Sequence, residues 1–387
     1  MTAAQIPGLD PAKIETVLGL FKAAGHTLVS PPILQPADIF LDLTGEDIRR
    51  RLFLTNGTDG VDLCLRPDFT IPVCRHHLAR PDADLPASYC YSGPVFRQRP
   101  DGLGEIPQLG AESLGRTDIA KADADLLALS AKALAAFGLD NTEIRIGDET
   151  LFAAVLEKLE LPSVWRRRLR DLFGETDKLS SAIGRMAGGS SSDDDSRDVR
   201  LGFLSALEGA DPAAAHSIVE DLLSIAGISA VGGRTPSEIA DRFLEQAALA
   251  SGARGHDTAA ETLKAYLALK ADGASAPDAI RAFAAQHGLD LAAPLAAFEQ
   301  RLEALKAKGI ALSQLSFAAD FGRRLDYYSG FVFEIHAPEG GIEGALVGGG
   351  RYDKLVTLLG AETDVPAIGF SMWLDRIAAA ITPGLGG

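Results

Sequence analysis

The sequence lacks the features on which membrane-spanning and secreted proteins depend. No uninterrupted apolar run reaches the roughly 18 residues of a membrane span, and residues 1–15 lack the basic start and apolar stretch of a secretory signal. Cysteine is scarce: Cys64, Cys74 and Cys90 are the only three, show no CxxC spacing, and are interpreted as buried thiols. We therefore expect a cytoplasmic protein without a metal, a cofactor or a membrane partner.

Basic residues are also fewer than acidic residues. The chain has 37 Lys and Arg against 53 Asp and Glu, a formal net charge of -16. Because phosphate contacts supply most of the affinity for nucleic acid, this balance disfavours a protein whose main task is to bind tRNA. The densest basic run, residues 165–170, is interpreted as a solvated helix face.

What is present is enough apolar material for one large core or two smaller ones, since 47% of the 387 residues are hydrophobic. The patterns predict an α+β fold: a core domain formed by residues 1–150 and 309–387, interrupted by a mainly helical insertion over residues 151–308. Within the insertion, residues 188–198 predict a mobile polar loop and residues 235–238 a helix cap.

Periodicity and turn signals predict the elements of the core domain. Asp10 and Pro11 begin a helix that ends near Gly25, and a second helix covers residues 117–137. Residue pattern predicts an extended segment at a sheet edge over residues 26–39 and a hairpin over residues 51–74. Further strands are predicted over residues 88–96, 108–114, 144–146, 315–321 and 330–336. A last helix is predicted over residues 372–381.

Two polar clusters lie in the first half of the core. Asp68 and Thr70, two residues apart on a predicted strand, would face the same side and accept hydrogen bonds from an ammonium group. Arg97 at a strand end can bind a carboxylate or a phosphate, and Gln108 and Glu112 share one face of the next strand. Taken alone, the first cluster is better explained as a surface turn and the second as an exposed ion-paired loop.

Two further clusters follow the insertion. Residues 321–334 place Arg323, Tyr327 and Tyr328 in one connection, which is costly unless they line a polar pocket or an interface. Residues 348–350 are three consecutive glycines, which indicate a close approach of a ligand or backbone, or a bulge. No phosphate-binding GK[ST] sequence follows them.

In this order the four clusters resemble the histidyl-tRNA synthetase family, a class II synthetase family. Residues 66–70 resemble its RPEGT segment, 96–112 its motif 2, 325–328 its RGLDYY segment, and 351–376 its GGRYD segment and motif 3. The resemblance spans roughly residues 10–118 and 312–382, together with the strand near Ile144. It implies an antiparallel sheet flanked by helices and a dimer formed through the region of Pro32.

The resemblance also implies a histidine-binding site. By position, Asp68, Thr70 and Gln108 would bind the α-amino group, Glu112 and Tyr328 the imidazole, and Arg97 and Arg323 the carboxylate; Tyr327 completes the predicted site. The pairing is chemically consistent, because ammonium groups need acceptors and carboxylates need guanidinium donors.

Departures from the family pattern fall where ATP would bind. Ile106 stands where the family has an aromatic residue that stacks on adenine, and losing such a stack costs roughly 1–3 kcal/mol. Trp373 stands where the family has a glycine, although Arg376 of motif 3 is present. We therefore expect a degenerate ATP site at Ile106, Trp373 and Arg376, with no catalytic residue. Because the sequence ends just after motif 3, we expect the family's anticodon-binding domain to be absent.

Such a chain is suited to sensing or assembly, and it resembles the synthetase-like regulatory subunits of short-form ATP phosphoribosyltransferase. That resemblance implies a catalytic ATP phosphoribosyltransferase subunit as partner and feedback regulation of histidine biosynthesis by free histidine. Two alternatives remain open from sequence: a truncated active synthetase or adenylating enzyme, recognisable by histidine-dependent pyrophosphate exchange, and a modification or stress-signalling paralogue with its own partner.

Overall fold

The computed structural model describes residues 6–43, 46–58, 60–100, 102, 104–187, 217, 221, 256–323, 327–338 and 342–382. The predicted loop 188–198, the predicted cap 235–238 and residues 324–326 of the RGLDYY-like segment lie outside the described residues. The predicted α+β class is confirmed, since helices pack on a large sheet of mainly antiparallel strands.

The elements are numbered here in chain order. The helices are α1 Pro11–Ala23, α2 Ala37–Leu43, α3 Glu46–Arg49, α4 Thr70–Leu78, α5 Ile119–Phe137, α6 Glu149–Lys158, α7 Ser163–Asp171, α8 Thr176–Met186, α9 Asp257–Leu267, α10 Ala276–His287, α11 Ala292–Ala307, α12 Leu355–Leu358 and α13 Leu374–Ile381. The strands are β1 Thr27–Leu28, β2 Leu34–Pro36, β3 Leu54–Asn56, β4 Asp62–Leu65, β5 Ala87–Phe96, β6 Glu105–Leu114, β7 Glu143–Asp148, β8 Lys270–Asp272, β9 Leu315–Ala318, β10 Phe331–His336, β11 Val347–Arg351 and β12 Ala367–Trp373.

Helix α1 forms as the sequence predicts. The Asp10 side chain accepts a hydrogen bond from the Ala12 amide at 2.9 Å, and Pro11 occupies the first turn, where its missing N–H costs nothing. The helix buries one apolar face, which includes Val17 and Phe21, and the chain leaves it through Gly25 at φ 91°.

The main sheet has nine strands in the order β1-β5-β6-β12-β11-β10-β7-β9-β8. β1 pairs with β5 and β7 with β9 in parallel; the other neighbours are antiparallel. The long central pair β5 and β6 carries the motif 2-like residues, and β12 joins β6 on its other side. The functional residues therefore come from strands that are neighbours in the sheet but far apart in sequence.

Two predicted boundaries need correction. The predicted hairpin over residues 51–74 is confined to β3 and β4, which form a three-stranded sheet with β2, and residues from Thr70 onward form helix α4 instead of a strand. The reason is local: the Asp68 carboxylate accepts the Ile71 amide at 3.1 Å and stabilises the first turn of α4. The final helix begins at Leu374, because Met372 and Trp373 still pair with β11 and β6 as part of β12.

Helix α5 covers the centre of the main sheet. It packs on β6, β10, β11 and β12 and lies beside α1 and α11. Its buried face includes Leu127, Leu134 and Phe137, each of which contributes roughly 2 kcal/mol by burial. Gly138, at φ 93°, ends the helix as the sequence predicts.

Four buried charged residues and the partly exposed Asp353 form an ion network in this part of the core. Asp123 of α5 accepts from Arg301 of α11 at 2.7 Å and from Arg351 at the end of β11. Arg301 also donates to Asp148 at 2.6 Å, and Arg351 donates to Asp353 at 2.8 Å. The network thus joins α5, α11, β7 and β11 through side chains shielded from water.

The chain divides into two compact units. The larger comprises residues 1–155, 173–175 and 266–387, and the smaller comprises residues 156–172 and 176–265. Residues 266–308 lie in the larger unit, because β8 extends the main sheet and α11 packs on α5. The predicted bounds of the insertion, residues 151 and 308, stay a prediction.

In the smaller unit, α7 carries the basic run. It buries Trp165 and Leu169, while Arg166, Arg167 and Arg168 are partly or fully exposed. This arrangement agrees with a solvated helix face. Across the described residues, no helix is long and apolar enough to cross a lipid bilayer.

Candidate functional site

A cleft of about 730 Å³ opens over one face of β6, β10, β11 and β12 in the larger unit. Its size suits a small ligand, since ligand pockets commonly measure about 300–1,000 Å³. All the predicted site residues except Glu112 line it: Asp68, Thr70, Arg97, Ile106, Gln108, Arg323, Tyr327, Tyr328, Trp373 and Arg376. The fold thus brings the four sequence clusters together in one cavity.

Asp68 and Thr70 reach the cleft by a different route from the one predicted. They do not alternate along a strand, since Asp68 follows β4 and Thr70 is the first residue of α4. One carboxylate oxygen of Asp68 accepts from the Ile71 amide, while the second, Oδ2, is buried and has no hydrogen-bond partner among the described residues. Burial raises the pKa of Asp68 to about 6, and the positive charge of Arg97 opposes that rise.

The Asp68 Oδ2 atom is one of two acceptors on this wall that lack a partner. The other is Oε1 of Gln108, a residue of β6 that is 1% exposed. Leaving a buried acceptor unpaired costs about 1–3 kcal/mol. Two such atoms lining one cleft indicate a site for a ligand that carries N–H donors.

Glu112 lies directly behind the cleft wall and is completely buried. Its Oε1 accepts from the Thr70 hydroxyl at 2.9 Å and from the Tyr91 hydroxyl at 3.2 Å, and its Oε2 accepts from the Tyr352 hydroxyl. Gly369 makes room for it, because a Cβ there would stand 1.4 Å from Oε2. Glu112 therefore orients cleft-lining hydroxyl groups while remaining within the core.

Burial raises the pKa of Glu112 to about 8, against the opposing effect of the hydroxyl donors Tyr352, Thr70 and Tyr91. Because the folded protein holds this proton more tightly than the unfolded chain, stability falls as the pH rises from about 4.5 to about 8. We expect the free energy of unfolding of the wild type to drop relative to Glu112→Gln by up to about 1.4 kcal/mol per pH unit in that window. Denaturant titrations at several pH values measure this difference.

The control for this titration is Glu261→Gln, which removes an exposed carboxylate on α9. It is expected to follow the wild type at every pH. A constant difference between wild type and Glu112→Gln from pH 5 to pH 8 would show that the buried carboxyl has an ordinary proton affinity.

Arg97 and Arg323 are two of the five arginines that line the cleft among the described residues. Arg97 donates from Nε to the Pro67 carbonyl at 2.8 Å, and its terminal nitrogens have no hydrogen-bond partner among the described residues. Arg323 donates to Glu334 Oε1 at 2.8 Å, while its Nε is buried without a partner in the part of the chain that the structure describes. Both groups are placed to bind a carboxylate.

Trp373 lies between two arginines on this wall. The guanidinium carbons of Arg376 and Arg323 are 4.9 Å and 5.7 Å from its ring, within the range of cation–π attraction. The ring is 8% exposed and lines the cleft, as does Ile106. The positions where the family pattern has a glycine and a stacking aromatic residue are thus occupied by a bulky indole and an aliphatic side chain.

The close approach predicted at the three glycines also occurs. Gly348 lies in β11, and a Cβ on it would stand 1.8 Å from a terminal nitrogen of Arg323. A side chain at this position would displace the arginine from the cleft. The absence of a side chain at Gly348 therefore leaves room for the Arg323 side chain at the cleft.

Four residues of the site were not assigned a role from sequence: Tyr91, Glu334, His336 and Tyr352. Glu334 pairs with Arg323 and with His336, whose Nε2 lies 3.0 Å from Glu334 Oε2. Tyr352 lies within the GGRYD-like segment, so the motif marked it as a residue of interest. The motif did not reveal its contact with Glu112, which is 240 positions away in the sequence. Such long-range contacts are not visible in a residue pattern.

Comparison with known proteins identifies the family. The sequence profile of the histidyl-tRNA synthetase family matches residues 12–217 and 213–377. The ATP phosphoribosyltransferase regulatory subunit of Brucella anthropi is 44% identical over 353 residues, covering 90% of this chain and 92% of that protein. The chain belongs to the family of ATP phosphoribosyltransferase regulatory subunits. The regulatory subunit of Brucella canis is likewise 44% identical over 357 residues, covering 91% of this chain and 92% of that protein.

Solved structures agree on the class II synthetase-like fold. A structure described as an ATP phosphoribosyltransferase regulatory subunit/histidyl-tRNA synthetase from Bacillus halodurans C matches with a TM-score of 0.66 at 19% identity, covering 99% of this chain and 83% of that one. Histidyl-tRNA synthetase from Nostoc sp. PCC 7120 matches with a TM-score of 0.61 at 15% identity, covering 97% of this chain and 74% of that one. The predicted fold class is confirmed by these neighbours.

Proposed function

We propose that this chain is the non-catalytic regulatory subunit of a short-form ATP phosphoribosyltransferase and that its cleft binds free histidine. One observation supports the ligand most strongly. The unpartnered acceptors Asp68 Oδ2 and Gln108 Oε1 and the guanidinium groups of Arg97 and Arg323 line the same cleft. A zwitterionic amino acid presents the complementary pair, an ammonium group and a carboxylate.

The imidazole would lie near Glu112, Tyr327 and Tyr328. Tyr327 and Tyr328 line the cleft together with Thr70, which donates to Glu112, and the Arg323 guanidinium carbon lies 5.6 Å from the centre of the Tyr328 ring. The two tyrosine rings pack against each other with centroids 5.1 Å apart. This wall supplies aromatic surface and oriented hydroxyl groups for a small polar ring.

Nucleotide chemistry is proposed to be lost. Trp373, fixed between Arg323 and Arg376, and Ile106 leave no aromatic stacking partner for adenine at the position that the family pattern provides. Aminoacylation requires adenylation of the amino acid, so a chain that binds histidine without ATP is limited to sensing. We therefore propose that the chain has no aminoacylation activity and does not bind tRNA. We also propose a cytoplasmic location.

Assembly is proposed to involve a second copy and a catalytic subunit. The family resemblance implies a homodimer contact near Pro32, and the exposed side chains of Leu28 on β1 and Leu34 on β2 support this proposal. Apolar side chains at such a surface are stabilised by a partner. Histidine can regulate the complex only if it binds the active and inhibited assemblies with unequal affinity.

Reconstitution tests this function. We expect that adding the chain to a short-form catalytic subunit raises the rate of phosphoribosyl transfer to ATP, and that millimolar histidine lowers the stimulated rate by a factor in the usual allosteric range of about 5–150. Product formation with and without the chain and with and without histidine measures both effects. A catalytic subunit that works equally well alone would contradict the proposal.

A further inference from the structure

A short segment of the predicted insertion forms part of the cleft wall. Phe173–Glu175 belongs to the larger unit, although the residues on either side of it in the chain belong to the smaller one. The ring of Phe173 stacks on the buried ring of Phe152 in α6, with centroids 4.9 Å apart. Gly174 lines the cleft, whose other described lining residues all lie outside residues 151–308. The predicted insertion therefore supplies one residue to the candidate site.

Gly174 and Gly322 contact each other through their backbones. A Cβ on Gly174 would stand 2.7 Å from the carbonyl carbon of Gly322, and a Cβ on Gly322 would stand 2.8 Å from the Gly174 Cα and from Cδ1 of Phe173. Packed Cβ atoms do not approach their neighbours this closely. The contact therefore exists only because both positions lack a side chain, and a methyl group at either one would push the other backbone away.

The residue before Gly322 makes a second contact of this kind. A Cβ on Gly147 of β7 would stand 2.0 Å from the Phe321 carbonyl oxygen. The backbone of residues 321 and 322 is thus confined by two glycine contacts, and Arg323 follows it directly. At the other end of the Arg323 side chain, the guanidinium donates to Glu334 at 2.8 Å. Arg323 is therefore held at its backbone as well as at its charged group.

We propose that Gly174 is a positioning residue: through its contact with Gly322 it fixes the backbone that carries Arg323, and so sets the affinity of the cleft for the carboxylate of its ligand. The proposal rests on the proposed binding of the histidine carboxylate by Arg97 and Arg323. Glycine has no side-chain donor or acceptor, so its effect on the ligand is exerted through the placement of the arginine.

Two further alanine variants separate this contact from backbone strain. Gly174 has φ 84°, in the left-handed region that favours glycine, so Gly174→Ala adds strain as well as the contact. Gly309 has φ 86°, and no described atom lies within 4 Å of a Cβ placed there, so Gly309→Ala adds similar strain alone. Gly322→Ala adds the contact alone, because the φ of Gly322 lies outside that region.

The test compares histidine with histamine, which has the imidazole and the ammonium group but no carboxylate. Calorimetric titrations measure both affinities for the wild type and the three variants, and the stoichiometry of each titration gives its folded fraction. For Gly174→Ala and Gly322→Ala we expect histidine affinity to fall at least about 10-fold, as the loss of a hydrogen bond to a charged group predicts, and histamine affinity to change less than about 3-fold. Gly309→Ala is expected to bind both ligands as the wild type does.

Equal losses for the two ligands, or wild-type histidine affinity in Gly174→Ala and Gly322→Ala, would overturn the positioning role. A crystal structure of ligand-free Gly322→Ala tests the same role directly: we expect the 2.8 Å hydrogen bond from Arg323 to Glu334 to be lost, and its retention would overturn the proposal. A wild type that does not bind histidine would instead contradict the proposed ligand, so the two failures are distinguishable.

Discussion

Replacing Arg351 by methionine is expected to destabilise the protein by about 3–5 kcal/mol, because it leaves a buried carboxylate without a balancing charge. Arg351 is 4% exposed and donates to both Asp123, which is fully buried, and Asp353. Asp123 would then depend on Arg301 alone, which it shares with Asp148. Chemical denaturation of the two proteins measures the loss.

The effect should extend to the cleft. The Ser329 amide donates to the Arg351 carbonyl at 2.9 Å, and the Asp353 amide donates to the Ser329 hydroxyl at 3.0 Å. These bonds hold the segment next to Tyr327 and Tyr328. Disrupting the ion network therefore loosens the wall that is proposed to contact the ligand ring.

Arg281→Met is the control for this prediction. Arg281 also pairs with two carboxylates, Asp278 and Glu299, but its side chain is 55% exposed. Solvated pairs contribute little, so a loss of at most about 1 kcal/mol is expected. Similar losses for Arg351→Met and Arg281→Met would mean that burial does not determine the strength of the network.

The sequence predicted most of the elements that carry the site because their signals are local. The cap at Asp10, the stop at Gly138 and the alternation around Ile144 and Ile146 each depend on residues within one element. The order of the four polar clusters then indicated one cavity, since their resemblance to a single family implied a common fold. The structure brings these clusters together as expected.

The prediction of a strand around Asp68 and Thr70 was wrong because the local residue pattern is compatible with two structures. Asp68 and Thr70 have the spacing of a strand face, but the same spacing lets an aspartate cap a helix, and its bond to the Ile71 amide shows which one the chain adopts. The assignment of α11 to the larger unit was likewise not visible in sequence, because it depends on packing against α5.

Contacts between distant residues were not predictable at all. The pairing of Glu334 with Arg323 and the approach of Tyr352 to Glu112 depend on which strands become neighbours. The position of Trp373 between Arg323 and Arg376 likewise requires the end of β12 to lie beside the cleft. The chemistry of the cleft therefore follows from sheet order, which residue patterns do not determine.

Retention of an amino-acid site together with loss of a nucleotide site is the central claim. Arg97 is the residue whose removal should affect histidine most, because its terminal nitrogens have no protein partner among the described residues and line the cleft with Arg323. Removing one partner of a buried charge pair costs about 2 kcal/mol or more, so Arg97→Met should weaken histidine binding by at least about 30-fold. Arg281→Met should bind histidine as the wild type does.

The most direct test is a pair of calorimetric titrations of the wild-type chain, one with histidine and one with ATP and magnesium, each repeated with the other ligand already present. We expect saturable heat for histidine and none for ATP, with histidine affinity unchanged by ATP. Saturable ATP binding that tightens in the presence of histidine would contradict it, because the cleft would then hold both substrates of an adenylating enzyme beside Trp373.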